Sequence, residues 1–475
     1  MDQTNEQHGL KRELRLTDLV LLQVLLIVGL SWVGSAAKEG STHVVLWLAG
    51  IVFFYLPLGA VVILLSRAIP VEGGTYQWVK AGISPFAGYM AVWNTSFYTI
   101  VIIGVQGPTV INSMAYIAGP SGAWMMSSTP MIVGAAVLFL LAEFAVNVRG
   151  LHLGKWITGS GSAMTLLLSV LMLYLLVRRW ASGIPAAHPP FSLAMPALSI
   201  LTLNVFTKMS IGALSGFDNA GVFAGECRAP GRDLPRSVLL SAPLIAATYI
   251  LGTGALLAYV PAEKVDLAAP LAQLMQAGFG NSGLAEILTT GAICGMTLIW
   301  FAGAVALLAM ASRFPMVIGW DGLLPHWWSE LHARFGTPVK ALTVVSGACL
   351  FITLISSWGA GGQEINQIGT GAGAACLCIM YALLFSVALI GKRSTGLRPG
   401  IGVRLAAISG FLVCVASLPL QVVPLSGVAN SAVFGLKVGG LVCAINALGA
   451  WLYWRGRKRM QAREPGPPAH ASLPG

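Results

Sequence analysis

Charge is what this sequence has least of. Asp, Glu, Lys and Arg make up 9% of its 475 residues, against 56% hydrophobic residues and a mean hydropathy of +0.78. That scarcity excludes an ordinary soluble globule, in which about a quarter of the residues are charged. The seven cysteines, Cys227, Cys294, Cys349, Cys376, Cys378, Cys414 and Cys443, fall in or at the ends of apolar runs. There each behaves as a small apolar residue, and neither a disulfide framework nor a zinc pattern occurs. His326 and His332 flank "WWSE" in a polar stretch and read as solvated or interfacial side chains, so no metal and no cofactor is expected.

Recognisable reaction machinery is also absent. No G-x-x-x-x-G-K-[ST] phosphate loop is present, and "GLHLGK" at 150 to 155 lacks both its spacing and the hydroxyl that meets magnesium. Neither H-E-x-x-H nor a G-x-S-x-G nucleophile elbow occurs. "GSGS" at 159 to 162 reads as small-residue helix packing. ATP-driven transport by this chain alone and intramembrane enzymology are both disfavoured.

What is present is a series of apolar runs of about 20 residues, the length that crosses a hydrocarbon core of ~30 Å. They predict an all-α integral membrane protein of twelve spans: 17 to 38, 44 to 66, 86 to 117, 130 to 147, 153 to 178, 197 to 227, 236 to 259, 284 to 312, 338 to 357, 365 to 391, 401 to 423 and 430 to 454. The start, "MDQTNEQHGLKRELRLTD", is polar for too long to be a cleavable signal. With residues 1–16 and the tail 456–475 placed inside, the inner segments hold 22 Lys and Arg, among them Arg15, Lys80, Lys155, Arg228, Arg313 and Lys340. The outer side holds four: Lys38, Arg178, Arg179 and Lys264. This bias sets both termini in the cytoplasm, and the short loops fit a bacterial inner membrane. It also accounts for the net charge of +11 without nucleic acid, with "WRGRKRM" as an anchor beside anionic headgroups. The last residues, "EPGPPAHASLPG", read as a disordered tail.

Within the spans the polar residues are concentrated. The sixth carries Gly212, Gly216, Gly221 and Gly225 with Ser210, Ser215, Asp218 and Asn219 among them. A helix-interior glycine costs ~1 kcal/mol relative to alanine, and a central aspartate ~2.5 to 3.5 kcal/mol on insertion scales. Their coincidence predicts an unwound segment lining a cavity, since free backbone groups are not tolerated against lipid. The alternative is a close-packed helix with Asp218 paired to a neighbour such as Lys208. A second candidate break lies in the first span, at Gly29, Ser31, Gly34 and Ser35, and paired interruptions in corresponding segments point to a transporter site. Lys208 is expected to face the outer vestibule or replace a bound cation. Glu143 and Lys437 are expected to be paired or snorkelling, with Glu143 kept as a coupling candidate.

Four motifs in order carry a family resemblance. "PVEGGTYQWVKAGISPFAGYMAVW" (70 to 93), "NVRGLHLGKW" (147 to 156), "SGFDNAGVFAGECRAPGRDLPRS" (215 to 237) and "SRFPMVIGWDGLLPHWWSELHARFGTPVKA" (312 to 341) resemble segments of the amino acid-polyamine-organocation transporter superfamily. The likeness covers almost the whole chain. It implies a leucine-transporter-like fold: a five-plus-five inverted-repeat core over 17–391 with helices one and six broken, then two further helices over 392–455. It also implies alternating access, with a substrate carboxylate on N–H groups at a helix N-terminus and an ammonium on carbonyls at a C-terminal end. Carried over residue by residue, the substrate site is Gly29, Ser31, Trp32, Val33 and Gly34 in helix one and Leu214, Ser215, Gly216, Phe217 and Asp218 in helix six. Asp218 is expected to couple protons or to face a substrate amine. Lys155 aside, the fifth span holds no lysine to replace sodium, and Ser312 is the late hydroxyl of the eighth, so proton coupling or exchange is expected over sodium. The resulting expectation is a secondary amino acid transporter, monomeric or homodimeric, with membrane lipid and a small molecule as its partners. A polyamine carrier of the same fold and a non-transporting amino acid sensor are the alternatives.

Overall fold

The computed structural model describes residues 12–266, 269–280, 283–356, 362–391, 397–423 and 430–462. Regular structure in these residues is helical, with one isolated bridge between Leu14 and Cys227. Among the described residues ten helices are long and apolar enough to cross a membrane, or up to eleven if a bent pair near the start counts as one span. That pair is α1 (Leu16–Ile27) and α2 (Ser31–Ala37), which meet at 46°. There follow α3 (Gly40–Ala68), the short α4 (Thr75–Gly82), α5 (Pro85–Gly104), α6 (Gly107–Ala118), α7 (Thr129–Val148) and α8 (Leu151–Ala181).

The sixth expected span, 197 to 227, accounts for the difference from twelve. It is not one helix: α9 (Ile200–Lys208) loosens into a π turn over Met209–Ala213, breaks, and resumes as a tight 3-10 segment, Phe217–Glu226. Its glycines and short polar residues hold the helical path weakly. After it come α10 (Pro230–Tyr259), α11 (Pro270–Phe279), α12 (Leu284–Trp320), α13 (Val339–Ser356), α14 (Gly362–Ile390), α15 (Ile401–Ser417) and α16 (Ser431–Gln461).

The third expected span, 86 to 117, is matched by one apolar span, Pro85–Ala118, with an irregular step at Val105 and Gln106 between α5 and α6, ahead of Pro108, which offers no N–H. Two further expectations need correction. Arg313, expected in an inner loop, lies within α12 and is 5% exposed. The tail does not begin at 456: α16 runs to Gln461, with Arg455 over Trp451 and Arg457 over Trp454. Cations in a last turn suit the negative end of the helix dipole.

The core is built around the two interruptions. α1 packs on α8 and α10, α8 on α12, and α14 on α5. Trp47 of α3 stacks on Tyr249 of α10 at 4.5 Å, and Tyr55 of α3 lies against Phe217 at 4.7 Å. One end of the bundle is tied by charged and backbone links. The Leu14 N–H donates to Glu226 O at 3.0 Å and the Arg228 N–H to Leu14 O at 3.1 Å. Lys155 pairs with Asp18 at 2.8 Å, and Lys80 with Asp321 at 2.5 Å.

Candidate functional site

The first interruption leaves backbone groups without helical partners. At Val28 the chain departs from helical geometry (φ −74°, ψ 86°) before α2 begins. Tyr249 fills the gap: its hydroxyl lies 2.5 Å from Ile27 O, accepts the Gly29 N–H at 3.0 Å, and is 3.1 Å from Ala213 O, the last carbonyl before the second break. One hydroxyl thus ties both breaks. A buried phenol satisfies groups that would each cost ~1–3 kcal/mol if left bare.

The second interruption turns on Gly216, whose φ of +118° is a conformation side-chain-bearing residues avoid. A Cβ there would also stand 3.1 Å from both Asn219 Nδ2 and Ile27 Cγ1. Trp32 fits between the breaks because two glycines make room: a Cβ on Gly29 would lie 2.7 Å from its Cδ1, and one on Gly212 would lie 2.5 Å from its Cζ2.

Between the breaks and helices α5, α6, α12 and α14 lies a cavity of about 390 Å³. Gly29, Ser31 and Trp32 line it from one break, Gly212, Ser215 and Asn219 from the other, with Tyr98, Gln106, Trp300 and Tyr381 on the facing helices. Its walls carry no side chain of Asp, Glu, Lys, Arg or His among the described residues.

The expected site residues therefore divide. Gly29, Ser31, Trp32 and Ser215 are in the wall. Gly34 is outside the wall but packs against one of its residues, Pro270, where a Cβ would stand 2.7 Å away, and Val33 lies by Gly252. Leu214 packs toward Gly50, Phe217 packs on Tyr55, and Gly216 supplies the turn.

Asp218, 2% exposed, is one layer behind the wall. Tyr381 donates to its Oδ1 at 2.9 Å and Thr75 to its Oδ2 at 3.2 Å. The alternative pairing with Lys208 is not present: Lys208 is half-buried on α9, lies outside the cavity wall and makes no ion pair among the described residues. Thr75 reaches Asp218 because the Gly73-Gly74 turn presses on the 3-10 segment. The Gly73 N–H donates to Val222 O at 3.2 Å, and a Cβ on Gly74 would lie 2.6 Å from Gly221 C.

Glu143 has a comparable place on the opposite wall. It is fully buried in α7, where Gln106 donates to its Oε1 at 2.9 Å and its Oε2 has no hydrogen-bond partner among the described residues. Its partner is thus an amide that lines the cavity, not a cation. Sequence reasoning missed Tyr249, Thr75, Tyr381 and Gln106. Thr75 lay inside a motif singled out above, and Gln106 precedes a Gly-Pro pair in an apolar run. Tyr249 and Tyr381 gave no signal beyond a tyrosine in a hydrophobic stretch.

The sequence model of a family described as amino acid permease matches residues 16–452. An uncharacterized transporter of Legionella pneumophila is 24% identical over 91% of this chain and 95% of its own length. The branched-chain amino acid permease BcaP of Bacillus subtilis is 22% identical, over 71% of this chain and 73% of its own. The probable agmatine/putrescine antiporter AguD of Lactococcus lactis is also 22% identical, over 73% and 72%. In structure, the chain resembles MhsT, crystallised in complex with L-phenylalanine, with a TM-score of 0.62 at 16% identity over 86% of this chain and 98% of that one. That likeness is one of fold.

Proposed function

The chain belongs to the amino acid permease family, a family of multi-pass membrane transporters, and from that premise we propose that it is a secondary transporter of neutral, bulky amino acids. On this reading it works by alternating access around the breaks at 28–30 and 214–216, in a five-plus-five repeat with two added helices. It sits in the bacterial inner membrane with both termini in the cytoplasm. The tied end, which holds Lys80, Lys155, Arg228 and Arg313, then faces inward.

The observation that carries the substrate class is the cavity wall. A wall of Trp32, Tyr98, Trp300 and other uncharged residues gives an apolar side chain a surface to bury against. The second ammonium of a diamine would find no counter-charge there, and an unpaired buried charge costs several kcal/mol. This favours an amino acid over a polyamine. The α-carboxylate is placed at the N-terminal end of α2, around Ser31, where the Trp32 N–H is already turned to Gly29 O, and the α-ammonium on carbonyls at the ends of α1 and the Met209–Ala213 turn.

For coupling, Asp218 and Glu143 are the candidate carboxylates, each one layer from the cavity behind Tyr381 and Gln106 respectively. Lys208 is the weaker candidate, since it lies outside the wall. Proton symport or exchange is the coupling this arrangement favours. The test is uptake into proteoliposomes of labelled neutral and cationic amino acids and putrescine, with and without an imposed proton gradient. Saturable uptake of a bulky neutral amino acid, unaffected by excess putrescine, is expected. Transport of putrescine in its place would overturn the substrate class.

A further inference from the structure

Where Leu14 meets Cys227, two buried carboxylates share one guanidinium. Arg313 Nη2 donates to Glu226 at 2.7 Å and 3.0 Å, and Nη1 donates to Ala309 O at 2.8 Å. Glu72 Oε2 accepts the Gly225 N–H at 2.6 Å. Glu72 Oε1 and Arg313 Nε are left 3.7 Å apart, each without a hydrogen-bond partner. Glu72 and Glu226 are each 2% exposed.

Arg313 is the cation facing both carboxylates; the other titratable groups nearby are the Cys227 thiol, Glu13 toward Glu226, and Asp18 and Asp233 toward Cys227. Asp18 is occupied by Lys155. Two carboxylates against one guanidinium leave a net negative charge out of water, which costs several kcal/mol unless something cancels it. A metal ion is a poor remedy, because a guanidinium already faces the unpaired oxygen. A proton needs no further ligands.

We infer that Glu72 is a proton-binding site built into the closure of this end. Glu72 carries a proton on Oε1 while Gly225 and Glu226 are docked, and releases it to solution when the segment Phe217–Glu226 moves away. A neutral Oε1 exerts little pull on Arg313 Nε, so the guanidinium stays committed to Glu226. Once the proton is lost, Glu72 competes for Arg313 and the docked arrangement weakens. Acid therefore favours the closed end and base the open one.

The inference rests on the alternating-access reading, and the test separates the two. Cys227 is fully buried beneath the Leu14 bridge, whereas Cys443 is exposed and serves as an internal reference. N-ethylmaleimide labelling of the purified full-length protein, quantified at each cysteine by mass spectrometry, reports opening as the Cys227/Cys443 ratio across pH 6 to 8.5. In the wild type that ratio should climb with pH more steeply than in Glu72→Gln or Glu226→Gln, by up to about tenfold per pH unit, the limit for one proton. Both variants leave one carboxylate to one guanidinium, and their thiol chemistry corrects for that of Cys227 itself. Should one fail to fold, the other still decides. Identical profiles in wild type and variants would overturn the proton site while leaving alternating access intact. No labelling of Cys227 at any pH, with Cys443 labelled, would overturn alternating access at this end and the proton site with it.

Discussion

Asp218 and Glu226 lie eight positions apart on the Phe217–Glu226 segment, on either side of a kink at Phe223, and are held in opposite ways. Asp218 receives two hydroxyl donors, from Tyr381 and Thr75, and no cation. Glu226 receives Arg313 Nη2 on both of its oxygens. Hydroxyls can rotate to new partners at small cost, whereas breaking a buried ion pair leaves uncompensated charge. The segment is therefore adaptable beside the cavity and firmly latched at the bundle's end.

The largest effect expected from this contrast is at the latch. Arg313→Leu strands the buried Glu226 carboxylate and should destabilise the protein by about 3–5 kcal/mol, read as a fall in the thermal unfolding midpoint in detergent. A loss under ~1 kcal/mol would mean that the cluster is not energetically tied to the fold. Next comes the pin between the breaks: Tyr249→Phe removes the hydroxyl shared by Ile27, Gly29 and Ala213 and should cost about 1–3 kcal/mol, with weaker substrate binding by titration calorimetry. Unchanged binding would sever Tyr249 from the site. Tyr381→Phe, which takes one donor from Asp218, should cost about 1 kcal/mol or less in stability while slowing uptake. A stability loss as large as that of Arg313→Leu would erase the contrast.

At the small end is the exposed trio of Glu330, Lys340 and His326. The hydrogen bond from Lys340 holds the Glu330 carboxyl below its ordinary range. Any stabilisation is therefore present at neutral pH and fades as acid protonates Glu330. Lys340→Gln should leave the melting temperature unchanged, since exposed pairs contribute little.

Much of the helical architecture was legible because apolar runs of membrane length are hard to disguise, and Asp218 stood out because a charge in such a run is costly. Other features were hidden for physical reasons. The irregular step between α5 and α6 within the third span lies ahead of Pro108, which membrane helices often accommodate, so the proline alone does not announce it. The position of Asp218 behind the wall depends on α4 bringing Thr75 to it across more than 140 residues of sequence. Tyr249 and Tyr381 act through a single oxygen each, on helices whose hydrophobic pattern is otherwise uninterrupted. The continuation of α16 past Arg455 was lost to a basic run that reads as a tail but serves as a helix terminus.

The central claim is that the cavity carries its ligand across the membrane and does not merely hold it. Counterflow tests this directly, with proteoliposomes preloaded with an unlabelled bulky neutral amino acid and diluted into a trace of the same compound labelled. A carrier predicts a transient accumulation of label above equilibrium that is absent from protein-free vesicles. Saturable binding of the label without that overshoot would contradict the account and make the protein a receptor.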